Sequence, residues 1–170
     1  MKVERTQDYP VAADELVRIM TDKEFFIARF AMSNIDNYHF DAFDRQGDEL
    51  VIRVRREVSL RPGNVPVFAR KFIGNSYQMV QEFIWTETTR QPYHARYRFS
   101  VGNAPVSVTG AIRIEDVDGK ARQHIVVDVS SNVPLVGNKI AALVAEKVDS
   151  GLDSDYRGTM RYLQQAGHTG

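Results

Sequence analysis

At 170 residues, 43% apolar and 26% charged, the chain has room for one packed domain and little for a second. Its 22 Lys and Arg balance 22 Asp and Glu, and zero net charge argues against a dominant electrostatic partner such as nucleic acid or an anionic membrane. The absence of cysteine excludes disulfides, thiolate nucleophiles and Cys-based metal sites.

The opening MKVERTQDYP alternates, with Val3, Arg5 and Gln7 on one side, and predicts a strand ending at Tyr9-Pro10. It has no apolar run of signal-peptide type, and no segment approaches the roughly 20 apolar residues that span a bilayer, so a cytoplasmic location is expected. Val11, Leu16, Ile19 and Met20 then recur at helical spacing. Thr21 and Glu24 in TDKE predict a capping box that starts a second short helix, FFIARFAM.

From about residue 34 the period is two. NYHFDAFD and ELVIRVRREV flank a hairpin loop at residues 45–48; Leu50, Ile52, Val54 and Val58 share a face that also carries Arg56. SLRPGNVP breaks the pattern at Pro62, Gly63 and Pro66, and VFARKFIGN predicts one or two helical turns. Residues 75–85, NSYQMVQEFIW, form the next strand, with Tyr77, Met79, Gln81, Phe83 and Trp85 on one face. HARYRFSV turns Ala95, Tyr97, Phe99 and Val101 inward, followed by a tight turn at Gly102-Asn103. VSVTGAIRIEDV aligns Val106, Val108, Gly110, Ile112 and Ile114, where Gly110 either leaves room for a neighbour or marks a bend. Asp118-Gly119 makes a last hairpin into ARQHIVVDVSS. After Pro134, Leu135, Ile140, Leu143, Val144, Val148, Leu152, Tyr156, Met160 and Leu163 predict one amphipathic helix of about 30 residues.

Catalytic signatures are sparse. His39, His94, His124 and His168 are not paired at metal-ligand spacing, so no metal or cofactor is expected. DVDGK lacks the remaining ligands of a calcium loop and reads as a hairpin turn. Asp149, Asp153 and Asp155 lie beside the apolar stripe or on the outer face of the last helix, as a solvated cluster. Arg53 and Arg55 point outward and Arg56 inward, which splits RVRRE as a phosphate patch. The inward polar residues are Arg5, Gln7, Arg56 and Gln81, set among Tyr38, Phe40, Tyr77, Met79, Phe83, Trp85, Tyr97 and Phe99. Each is either paired within the protein or exposed to a partly wet interior, because an unpaired buried amide costs about 1–3 kcal/mol.

One strand, two short helices, six consecutive antiparallel strands and a long helix make an α+β order in which a curved seven-stranded sheet wraps one helix. A single helix cannot fill so broad a concavity, which leaves a cavity. On this order the chain resembles the helix-grip fold of the START-like superfamily, also called SRPBCC or Bet v 1-like, over a single domain of residues 1–170. In FARKFIG and the opening KVERTQDYPVAADELVRIMTD it is similar to the bacterial group DUF2505, which supplies no catalytic motif. The resemblance implies a cavity for an apolar or amphipathic molecule, lipid-like or aromatic. The candidate lining is the eight aromatic and Met residues above with Arg56, Gln81, Ile140 and Val144, and Arg56 or Gln81 would fix a polar head. Two rivals stand beside this: a cyclase, aromatase or hydratase using the same cavity (Tyr77, Tyr97, Arg56 or Asp128), and a ligand-free interaction module using outer-face Arg96, Arg98, Arg113 and Glu115. The cavity mouth is expected between the first helical turn, residues 133–140 with Gly137 as a loosening point, and the loop at residues 65–72.

Overall fold

The structure, a computed structural model, describes residues 1–59, 63, 65–74 and 76–167. Pro62 of the predicted break and His168 lie outside the described residues. The order is β1 (Lys2–Asp8), α1 (Ala13–Met20), α2 (Lys23–Met32), β2 (Tyr38–Gln46), β3 (Glu49–Ser59), a 3-10 turn at Val67–Ala69, β4 (Ser76–Glu87), β5 (Tyr93–Val101), β6 (Ser107–Val117), β7 (Lys120–Ser130) and α3 (Gly137–Gln165). The strands form one antiparallel sheet in the order β1-β7-β6-β5-β4-β3-β2, so the first strand closes onto the last. This is the helix-grip architecture, with α3 in the concave face and α1 and α2 at one end. No helix among the described residues is long and apolar enough to cross a membrane.

Local chemistry sets the joints. Gly47 and Asp48 alone join β2 to β3, and Gly47 takes φ +66°. Asp118 and Gly119, at φ +54° and +80°, make the two-residue turn with positive φ at both positions that suits the twist of a hairpin. The Thr21–Glu24 capping box does not form. Because α1 runs to Met20, the Thr21 hydroxyl closes that helix by donating to the Val17 carbonyl at 2.7 Å. Asp22 caps α2 instead, accepting from the Glu24 N–H at 3.0 Å.

A register shift between Phe40 and Ala42 marks a β-bulge in β2. It brings Phe43 rather than Ala42 onto the inner face, where Phe40 and Phe43 meet edge to face at 5.8 Å. Phe26 of α2 packs on both rings and on Phe83 at 6.0–6.1 Å, so α2 is pinned by an aromatic cluster. At Gly110 a Cβ would fall 2.6 Å from the Val126 carbonyl oxygen and 3.1 Å from Val127 Cγ2. The glycine therefore leaves room for the close approach of β7, and the register runs through it without a break, so of its two sequence readings the room for a neighbour holds.

The long helix sits off-centre. Its backbone approaches β7, β1 and α2 and makes no comparable approach to β3, β4 or β5. Arg5 of β1 clasps it through Asp149, and its Nε lies 3.4 Å from Asp153 Oδ1. On the same side the Tyr156 hydroxyl donates to the Asp8 carbonyl at 2.7 Å. Leu135 does not join the apolar stripe: it lies ahead of α3 at φ +70° and is fully exposed.

Candidate functional site

Where α3 stands away from β3, β4 and β5, the structure holds a cavity of about 380 Å³. In bulk liquid that volume would hold about a dozen waters. β3 contributes Arg56 and Val58, β4 contributes Tyr77, Met79 and Gln81, and β5 contributes Tyr97, Phe99 and Val101. The roof is α3 from Leu143 and Val144 through Val148 and Leu152 to Asp155. Arg29, Phe30, Ser33 and Ile35 close one side, and Val65, Pro66 and Ile73 another. A second hollow of about 70 Å³ lies deeper, among Phe25, Phe26, Phe83, Trp85 and Ile125. Tyr97, Leu152 and Asp155 belong to both walls.

The four inward polar residues divide in two. Gln7 belongs to a buried triad: the Gln123 amide donates to Gln7 Oε1 at 3.1 Å and to the Tyr9 oxygen at 3.2 Å. Arg5 is paired with the helix acids. Both are structural. Gln81 and Arg56 instead face the large cavity. Gln81 donates to the Tyr97 hydroxyl at 3.4 Å, near the limit of a hydrogen bond, and burial raises the Tyr97 pKa well above the ordinary phenol range.

Arg56 is poorly matched. Its Nε is buried without a hydrogen-bond partner among the described residues, and its guanidinium carbon lies 5.8 Å from the Phe30 ring centre. Burial lowers its pKa; the Asp155 and Tyr77 oxygens oppose that shift, and the Arg29 charge adds to it. Burial likewise raises the Tyr77 hydroxyl, against the attraction of Arg56. The two outward arginines that precede it in β3 differ. Arg53 meets Glu82 at 2.6 Å and Arg55 meets Asp41 at 3.1 Å.

Of the predicted lining, Arg56, Tyr77, Met79, Gln81, Tyr97, Phe99 and Val144 come together on the large cavity. Phe83 and Trp85 line the smaller hollow. Tyr38, Phe40 and Ile140 touch neither: Tyr38 stacks on Phe30 at 4.6 Å, Phe40 belongs to the aromatic cluster, and Ile140 is buried in the core. Tyr38 and Phe40 pair with inward-facing Arg56 and Val54 but are covered by Phe30 and Phe26 of α2, and Ile140 lies ahead of the stretch of α3 that roofs the cavity. Asp128 is exposed on the outer face.

Arg29 is a cavity residue that the sequence reading passed over, and Asp155 is one that it placed in a solvated cluster with Asp149 and Asp153. Arg29 is only 11% exposed, with its guanidinium 5.1 Å from the Phe25 ring, 5.5 Å from Phe26 and 3.9 Å from Asp155 Oδ1. Asp155 faces the cavity, while Asp149 and Asp153 flank the stripe. A signal for Asp155 existed: it follows Val148 by seven residues, two helical turns along the same face. The mouth is also displaced along the helix. The predicted loop does contribute, but no residue of 133–140 lines the cavity, and exposed Lys147, Gly151 and Ser154 frame its helical edge. At Gly137 a Cβ would lie 2.7 Å from the Ser131 carbonyl oxygen, so this glycine serves close packing rather than a gate.

Solved structures share this architecture at low identity. The protein TTHA0849 from Thermus thermophilus superposes with a TM-score of 0.62 at 16% identity, covering 98% of this chain and 99% of the other. A START superfamily protein from Mycobacterium smegmatis gives 0.56 at 13% identity over 97% and 98%. The di-domain ARO/CYC protein BexL of the BE-7585A biosynthetic pathway gives 0.60 at 14%, covering 96% of this chain and 46% of the other. No curated protein matches the sequence. The model of the family described as "Protein of unknown function (DUF2505)" matches residues 4–163, and the chain belongs to that family, built on the START-like helix-grip fold.

Proposed function

We propose that this chain is one domain that binds an apolar or amphipathic small molecule, lipid-like or aromatic, between the sheet and α3. The observation that carries the reading is the cavity of about 380 Å³, where apolar walls surround a few polar groups from β3, β4, α2 and α3. Apolar burial supplies most of the affinity, at roughly 25 cal/mol per Å² removed from water before the costs of binding. The test uses Met79, which pairs in register with Arg56 and Val101 and sits mid-wall. The parent protein takes up the uncharged fluorescent probe Nile red; Met79→Trp fills the space, loses the probe and keeps a cooperative thermal transition. A parent that takes up no probe, and that native mass spectrometry finds empty when purified from its own host, overturns the reading.

The rival enzyme of cyclase, aromatase or hydratase type needs an acid–base pair against its substrate. Burial keeps the Tyr77 and Tyr97 hydroxyls protonated, and the partner of Tyr97 is the amide of Gln81 rather than a base. Binding is therefore the better supported of the two.

A further inference from the structure

The cavity wall carries a charge excess that the chain as a whole does not. Overall, 22 basic residues balance 22 acidic ones. On the described wall, Arg29, Arg56 and Lys147 stand against Asp155 alone, three positive charges to one negative, a balance of +2. Lys147 is exposed at the rim and hydrated, so its charge is no burden there. Arg56 is different. It projects from the C-terminal half of β3, faces a Phe ring and, among the described residues, leaves Nε without a partner.

Asp155 does not resolve the imbalance. Among the described residues its ion pair is with Arg29, at the outer limit of 3.9 Å. Every other arginine of β3 has a carboxylate within 3.1 Å. A partly buried guanidinium left without an anion is destabilising, and a planar fork of N–H donors matches a carboxylate better than a hydroxyl or an amine.

Resting on the cavity reading above, we propose that the bound molecule is an anionic amphiphile whose carboxylate head is held by Arg56, with Arg29 adding to the positive field. Apolar Val58, Met79, Phe99, Val101 and Val144 hold the tail. Tyr77, close enough to Arg56 for the two to shift each other's ionisation, adds a hydroxyl donor at the same end.

The test compares decanoate, decanol and decylamine, which share one tail, in displacing Nile red from the parent at neutral pH. Decanoate binds at least about 10-fold more tightly than decanol, and decylamine is the weakest. Arg56→Gln removes the advantage of decanoate over decanol, while Arg56→Lys restores part of it. Equal affinities of the parent for decanoate and decanol overturn the anionic head and leave the cavity reading standing. An Arg56→Gln variant that weakens both ligands alike overturns the anionic head in the same way. A parent that binds none of the three and no Nile red overturns both. The comparison in the parent alone decides the question if Arg56→Gln does not fold.

Discussion

Two glycines of α3 respond to the same substitution in opposite directions. Gly137 opens the helix against the backbone of Ser131, where an added Cβ would lie 2.7 Å from the carbonyl oxygen and 3.3 Å from its carbon. That backbone is held in place, because the Ser131 hydroxyl donates to the Pro105 carbonyl at 2.6 Å and the Gly137 N–H to Val133 at 2.9 Å. Overpacking of this kind costs about 1–3 kcal/mol, offset by at most about 1 kcal/mol of alanine helix propensity. A net loss of about 1–2 kcal/mol lowers the Tm of a chain this size by about 2–8 °C. Gly151, mid-helix, has nothing within 4 Å of its virtual Cβ. Gly151→Ala therefore gains about 0.5–1 kcal/mol and raises Tm by about 1–4 °C. The two sites lie 14 residues apart, about 21 Å along the helix, so a double variant shows the sum of the two shifts. Calorimetric melts of parent, both single variants and the double variant measure all of this. A Gly137→Ala protein as stable as the parent, or more stable, refutes the close seating of α3 on Ser131.

Alkaline pH and the buried triad give two more tests. Burial raises the pKa of Tyr9, Tyr77, Tyr93 and Tyr97. Above about pH 10 the unfolded chain releases protons that the native chain keeps, so stability holds below that pH and falls beyond it. Ultraviolet titration should show only part of the seven tyrosines ionising near pH 10 before unfolding; full native ionisation at that pH contradicts the burial. Gln123→Leu leaves Gln7 Oε1 only the long 3.5 Å bond from Tyr9 and costs about 1–3 kcal/mol. Replacing Gln7 and Gln123 together costs less than the sum of the single losses, because no orphaned amide remains; additive losses in denaturant titrations would show that the two do not interact.

Much of the architecture was legible because each strand from β3 to β7 keeps a period-two pattern between turns marked by Gly or Pro, and α3 keeps its three- and four-residue steps. What failed was local competition. Thr21 and Asp22 both suit an N-cap, and only the end of α1 decides between them. The bulge in β2 leaves no mark in YHFDAF beyond a Phe in the wrong phase. Within the site, the β4 and β5 wall could be read by alternation. Arg29 could not, because α2 is apolar on nearly all sides and gives its one arginine no evident direction. Whether Gln7 is paired and Arg56 unmatched depends on Gln123, Phe30 and Asp155, which lie far away in sequence.

The closure of β1 onto β7 also sets an order of events during synthesis. Val3 finds its partner Val127 only after more than a hundred further residues have been made, and Arg5 meets Asp149 later still. At roughly 5–20 residues per second, the first strand waits on the order of 6–25 s beside an unfinished sheet. Until α3 emerges, the aromatic concave face has no roof. Such late, long-range closure slows folding and leaves a sticky nascent surface open to chaperones or to misassembly. Ribosome-stalled chains should therefore resist protease only once α3 has cleared the exit tunnel, and the ion pairs between β1 and α3 act as the final latch.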